Sequence, residues 1–154
     1  MLSQLALLLA LVPSLALSVP TAAGSKHNVY LVRCQPSDPD EDVIVAAAFF
    51  RDGPIKEGST LQNPTALVTV SGSSPEWEGR QRRVRLDEGT FTTNISADAK
   101  KAAKGSIAGD AKLGSEPFVC FKDGTTKFSV RYDRERYSCT TDYWCPSIDV
   151  GDAN

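Results

Sequence analysis

The stretch FVCFKDGTTKFSVRY, Phe118 to Tyr132, decides the fold class. Apolar and polar residues alternate on both sides of Asp123-Gly124, a dipeptide favoured in two-residue hairpin turns. A turn there pairs Phe121 with Thr126, Val119 with Phe128 and Pro117 with Val130. Strand alternation then gathers Val119, Phe121, Phe128 and Val130 on a core face, with Cys120, Lys122, Lys127, Ser129 and Arg131 opposite. On this reading Cys120 points away from the main core. A further turn near Asp133 leads to a third strand over Tyr137 to Cys139.

The same composition extends upstream. Val29 to Val32, Val43 to Phe50, Ala66 to Val70, Arg82 to Leu86 and Thr90 to Ile95 read as strands, separated by clusters of Pro, Gly, Asp and Ser. Ser96 can cap one short helix, with Asp98 in its first turn, Lys100, Lys101 and Lys104 late, and Gly105 as a left-handed stop. The expected architecture is mainly β: a small antiparallel β-sandwich or barrel of seven to nine strands with one short helix, stapled by disulfides.

The chain has 154 residues, a net charge of −2 and 41% apolar residues. Residues 1–18 carry no charged side chain and include LALLLALV at 5–12, which reads as a secretory signal cut after Ser18 or as late as Ala23. Residues 19–26 form a loose leader, 27–148 a single β-rich domain and 149–154 a flexible tail. No later run reaches the roughly 18 apolar residues of a membrane span. The acidic balance excludes a broadly basic nucleic-acid binder, and a monomer is the expected state.

Secretion puts Cys34, Cys120, Cys139 and Cys145 in an oxidising compartment, where two disulfides are expected. In a three-stranded meander the outer strands lie about 9.6 Å apart, beyond the roughly 7 Å limit for bridged Cα atoms, which disfavours Cys120–Cys139. The favoured pairing is Cys34–Cys120 with Cys139–Cys145 closing a small loop around Tyr143 and Trp144. Cys34–Cys139 with Cys120–Cys145 stays open.

The segments HNVYLVRC, SEPFVCFKDGTTKFSVRYD and YSCTTDYWCPS together resemble small secreted cysteine-bearing proteins of filamentous fungi. The resemblance covers residues 27–147. It implies secretion, disulfides and a role at a cell surface or toward a host, and assigns no activity or functional residue.

Candidate chemistry is sparse. His27 is the only histidine: a Ser-His-Asp relay would have to use it at the edge of the ordered chain, with no Gly-x-Ser-x-Gly present, a copper site lacks its second imidazole, and no cofactor is expected. Asp38, Asp40, Glu41 and Asp42 supply oxygens suited to calcium, but Pro39 and the missing glycine break the EF-hand spacing, which favours a solvated loop. No catalytic or metal-binding residue is assigned. Arg80, Arg82, Arg83 and Arg85 form the one dense basic cluster, suited to anionic glycans, phosphates or a membrane surface, although a charged solvent face or edge strand is the favoured reading; on a strand Arg83 and Arg85 share one face, and Val84 and Leu86 share the other with Arg82. Arg82-Arg83 is also a dibasic sequence open to processing. Trp77, Tyr143 and Trp144 are either contact aromatics or core plugs. Asn94-Ile95-Ser96 is a glycosylation sequon.

The leading expectation is a secreted, non-enzymatic binding or effector-like module acting on a cell-wall glycan, a membrane surface or a host protein. Two alternatives follow. One is a small ribonuclease- or glycosidase-like hydrolase using Glu76 and Arg80. The other is an antimicrobial or toxin-like protein, which the acidic net charge disfavours on anionic bilayers.

Overall fold

The computed structural model describes residues 26–56, 60–72 and 75–149. The expected signal segment, the tail beyond Asp149 and all of the leader except Lys26 lie outside the described residues. Nine strands follow in chain order: β1 (Asn28–Pro36), β2 (Ile44–Phe50), β3 (Ala66–Thr69), β4 (Gln81–Leu86), β5 (Gly89–Ile95), β6 (Ile107–Leu113), β7 (Glu116–Lys122), β8 (Lys127–Tyr132) and β9 (Glu135–Pro146). They form one antiparallel sheet ordered β3-β2-β1-β9-β7-β6-β5-β4, with β8 also paired to β9. The two end strands, β3 and β4, lie in contact without a ladder between them, so the sheet curls into a nearly closed barrel. No described helix is long and apolar enough to cross a membrane.

The barrel encloses the larger core. Val29 and Leu31 of β1, Val45, Ala47 and Phe49 of β2, Phe91 of β5, Phe118 of β7 and Tyr143 of β9 all belong to it. A second core lies on the other face of β1 and β2, where Tyr30, Val32, Ala46, Ala48 and Phe50 meet Phe128 and Val130 of β8. The chain after β2 is laid across that face: Ile55 donates its N–H to the Tyr30 hydroxyl, and Gln62 donates its N–H to the Ser129 carbonyl. Burial on both faces explains why Val29–Val32 and Val45–Phe50 run continuously apolar instead of alternating.

The Asp123-Gly124 hairpin is not formed. β7 and β8 run in one direction along the same edge of β9, with Lys122 opposite Tyr143 and Lys127 opposite Thr140. Residues 123–126 therefore bulge out against only Thr141 and Asp142. The Asp123 carboxylate stabilises this bulge by accepting the N–H groups of Thr125 and Thr126 and the Thr126 hydroxyl at 2.7–2.9 Å. Such local carboxylate bonds compete with hairpin pairing. The expected turn near Asp133 is present as a two-residue reversal at Asp133-Arg134, whose φ values of 47° and 71° suit a type I′ turn. Phe128 and Val130 are buried as expected. On β7 the burial is inverted: Phe118 and Cys120 face the barrel core, while Val119 and Phe121 are half-buried.

The favoured disulfide pairing is likewise overturned. Cys34 bridges Cys139, its register partner across β1 and β9, and Cys120 bridges Cys145 across β7 and β9. Tyr143 and Trp144 thus lie within a strand, not in a disulfide loop.

The expected helix contracts to one 3-10 turn, Ala99–Lys101, whose N-cap is Asp98 and whose cap lacks a side-chain bond. Strand hydrogen bonds claim both flanks. Ser96 donates its N–H to the Ala108 carbonyl, and Gly105 donates to that of Lys122, leaving too little chain for two helical turns. Strand β6 was not anticipated, because IAGDAKL lacks strand formers beyond Ile107. Its Gly109 is required by close approach: a Cβ there would stand 2.1 Å from the Asn94 carbonyl oxygen.

Candidate functional site

The most chemically loaded surface lies at one end of the barrel. Trp77, 2% exposed, inserts into the core from the chain between β3 and β4. Its neighbours Glu76 and Glu78 are thereby placed at the rim, and Glu78 is further held by a bridge to Ile95. Arg33 follows Val29 and Leu31 on the same face of β1, opposite Tyr30, Val32 and Cys34. Lys122 ends β7, and Lys100 comes from the 3-10 turn.

Asp142 arrives by a register shift. Leu31 faces Tyr143 but Val32 faces Thr141, so Asp142 is an extra residue in β9. Bulges of this kind re-aim side chains at barrel rims. Together Arg33, Glu76, Glu78, Lys100, Lys122 and Asp142 line a cleft of about 300 Å³.

Each group in the cleft has a distinct environment. Lys100 donates to Glu76 at 2.8 Å, and this hydrogen-bonded partner holds the Glu76 carboxyl below its ordinary range. Tyr143, fully buried, donates its hydroxyl hydrogen to Glu78 at 2.5 Å. Burial first, and then Glu78, push the Tyr143 phenol well above its ordinary range. The Lys122 ammonium sits 4.8 Å from the centre of the Tyr143 ring, within cation–π reach. Burial raises the Asp142 carboxyl despite the opposing pull of Arg33 and Lys122.

The cleft continues in both directions. Past Glu76 and Glu78 it opens into a depression of about 390 Å³ that includes Arg80 and Arg82. Past Arg33 it opens into another of about 350 Å³ that includes Val43, Val70 and Tyr132. Gly72 and Pro75 border both depressions. The result is one open groove beside the incomplete β3–β4 seam.

The residues singled out from sequence scatter. Arg80 lines the groove, whereas Arg83 and Arg85 are exposed on the outer face of β4, opposite the buried Val84 and Leu86. Trp77 and Tyr143 are core residues. Trp144 is half-buried, stacked near Tyr30, with its indole N–H donating to the Asn28 side chain at 2.9 Å. Glu76 reaches the cleft without Arg80, which lines only the adjoining depression. Asn94 is exposed on β5 and donates its side-chain N–H to Asp110.

His27 does not stand free beside the strand start. Its Nδ1 lies 2.8 Å from the Glu116 carboxylate, which also accepts the Ser147 hydroxyl. Asp38, Asp40, Glu41 and Asp42 are exposed, and Asp38 accepts the Asp40 N–H in a local turn. Among the described residues no three His, Cys, Asp or Glu side chains converge as metal ligands.

Arg33, Glu78, Lys122 and Asp142 were missed as site residues. The one sequence signal for Asp142 is a charge inside the otherwise uncharged run SCTTDYWCPS. Comparison of the chain with family models, with curated proteins and with solved structures finds no match.

Proposed function

We propose that the protein is a secreted binding module that holds a polysaccharide chain in the groove beside the β3–β4 seam. One observation carries this reading: three adjoining depressions share lining residues and form a single open channel, which suits a polymer better than an enclosed small molecule. Its lining carries both donors and acceptors, Arg33, Lys122, Arg80 and Arg82 beside Glu76, Glu78 and Asp142, and a chain of hydroxyl groups can use both. Tyr132 adds an aromatic surface at one end, the kind of side chain that contributes both contact area and a polar tip. Two buried disulfides and an N-terminal signal-like segment support an extracellular setting, and the exposed sequon at Asn94 supports glycosylation there. The resemblance to small secreted fungal proteins is in keeping with a wall glycan as the target.

Retention on insoluble chitin, β-glucan and isolated plant or fungal walls tests the reading. The wild-type protein is expected to bind at least one of them, and Tyr132→Ala combined with Arg80→Ala to be released. Binding lost with Arg83→Ala and Arg85→Ala, but kept in the groove variant, would move the site to the outer face of β4. No retention on any material would refute the glycan reading.

A further inference from the structure

We propose that the cleft also hydrolyses glycosidic bonds, with Asp142 as the proton donor and Glu78 as the group that takes a proton from water. This rests on the glycan-binding reading and adds a reaction to it. The sequence-based pair was Glu76 and Arg80, but Glu76 is exposed and paired with Lys100, and Arg80 lies outside the cleft. Two other carboxyl groups line the same cleft in contrasting settings, and such contrast is how acid and base roles are divided between carboxyls.

Asp142 suits the acid. It is the unpaired residue of the β1–β9 register shift, so its placement comes from the backbone and not from a partner side chain. Among the described residues its carboxyl group has no hydrogen bond and no ion pair, with Arg33 and Lys122 acting on it only at longer range. Burial, aided by Glu78, outweighs these two cations and Lys100 and favours the protonated form, as a general acid needs.

Glu78 suits the base. Its carboxylate is oriented by the Tyr143 hydroxyl, and the buried phenol keeps its proton and so remains a donor. One carboxylate oxygen accepts that bond, which leaves the other for water. Tyr143 is thus a positioning residue.

The step balances with water alone. Asp142 gives its proton to the bridging oxygen, and the bond from that oxygen to the anomeric carbon breaks, its electron pair leaving with the departing hydroxyl. Water bonds to the anomeric carbon and loses a proton to Glu78. The proton returns to Asp142 through solvent, and two shorter glycans are released.

The test incubates the full chain with soluble oligomers of chitin, β-1,3-glucan, xylan and polygalacturonate, following product length by chromatography and binding by calorimetry. At least one oligomer is expected to be shortened. Asp142→Asn and Glu78→Gln are each expected to slow cleavage by about 100-fold or more while still binding. The wild-type rate is expected to fall as pH rises through a value above the ordinary carboxylate range. An oligomer that binds but is never cut overturns the reaction and leaves the binding reading standing. Cleavage undiminished in both variants, or a rate flat across that pH range, also overturns it. Absence of binding by every oligomer removes the binding reading and the reaction together.

Discussion

Tyr143 and Glu78, 65 positions apart, are joined by a hydrogen bond that ties the barrel wall to the segment closing its end. The phenol is fully buried, so the donor side of the bond is shielded from water while the carboxylate faces the cleft. It holds the Trp77 segment, and with it Glu76 and Glu78, at the cleft that Asp142 and Lys122 also line.

Tyr143→Phe keeps the ring that packs in the core and beneath Lys122 but deletes the donor. Loss of a hydrogen bond to a charged group predicts a destabilisation of about 1.5–3 kcal/mol in urea unfolding. Glycan binding should weaken as well, since Glu78 loses its orientation. Unchanged stability and binding would show that the segment is held by Trp77 packing alone.

The disulfides predict a ranking. Cys34–Cys139 spans 105 positions and Cys120–Cys145 spans 25. In the chain-entropy model these loops correspond to about 4.8 and 3.5 kcal/mol. Replacing both Cys34 and Cys139 by Ala should therefore cost more in denaturant unfolding than replacing Cys120 and Cys145. Non-reducing peptide mapping should recover both linkages, and a Cys34–Cys120 peptide would contradict the strand register.

Asp142 makes stability depend on pH with a definite sign. Its carboxyl is raised in the folded state by burial, so the folded chain holds this proton at pH values where the unfolded chain has lost it. The contribution is intact below the ordinary carboxylate value of about 3.9 and declines as pH rises through the folded value. Asp142→Asn should therefore raise the Tm at pH 7, with the gain vanishing below about pH 3.9. A Tm difference that is independent of pH would contradict the assignment. A stabilising loss of function is common where a site is built from poorly solvated groups.

Strand composition made the β class and five of the upstream strands legible, because Val, Ile, Phe and Tyr cluster between turn residues. The alternation of Arg83 and Arg85 with Val84 and Leu86 correctly placed the two faces of β4. Three features were hidden for physical reasons. Asp123-Gly124 has hairpin chemistry, but the Asp123 side chain satisfies the following backbone and permits a bulge that keeps the chain on one edge of β9. That reversed the face of β7, and with it the expected role of Cys120. The Cys34–Cys139 pairing depends on β1 lying beside β9, a contact between the two ends of the domain that no local pattern encodes. The cleft is the least legible part, since Arg33, Glu78, Lys122 and Asp142 come from distant elements and converge only when the barrel curls.

Backbone amide shifts on titration with the glycan oligomer that binds best test the central claim most directly. The account predicts that perturbed amides cluster along the groove, at Arg33, Glu76, Arg80, Tyr132 and Asp142, with the outer face of β4 unmoved. Shifts confined to Arg83 and Arg85, or no localised shifts at saturating oligomer, would contradict it.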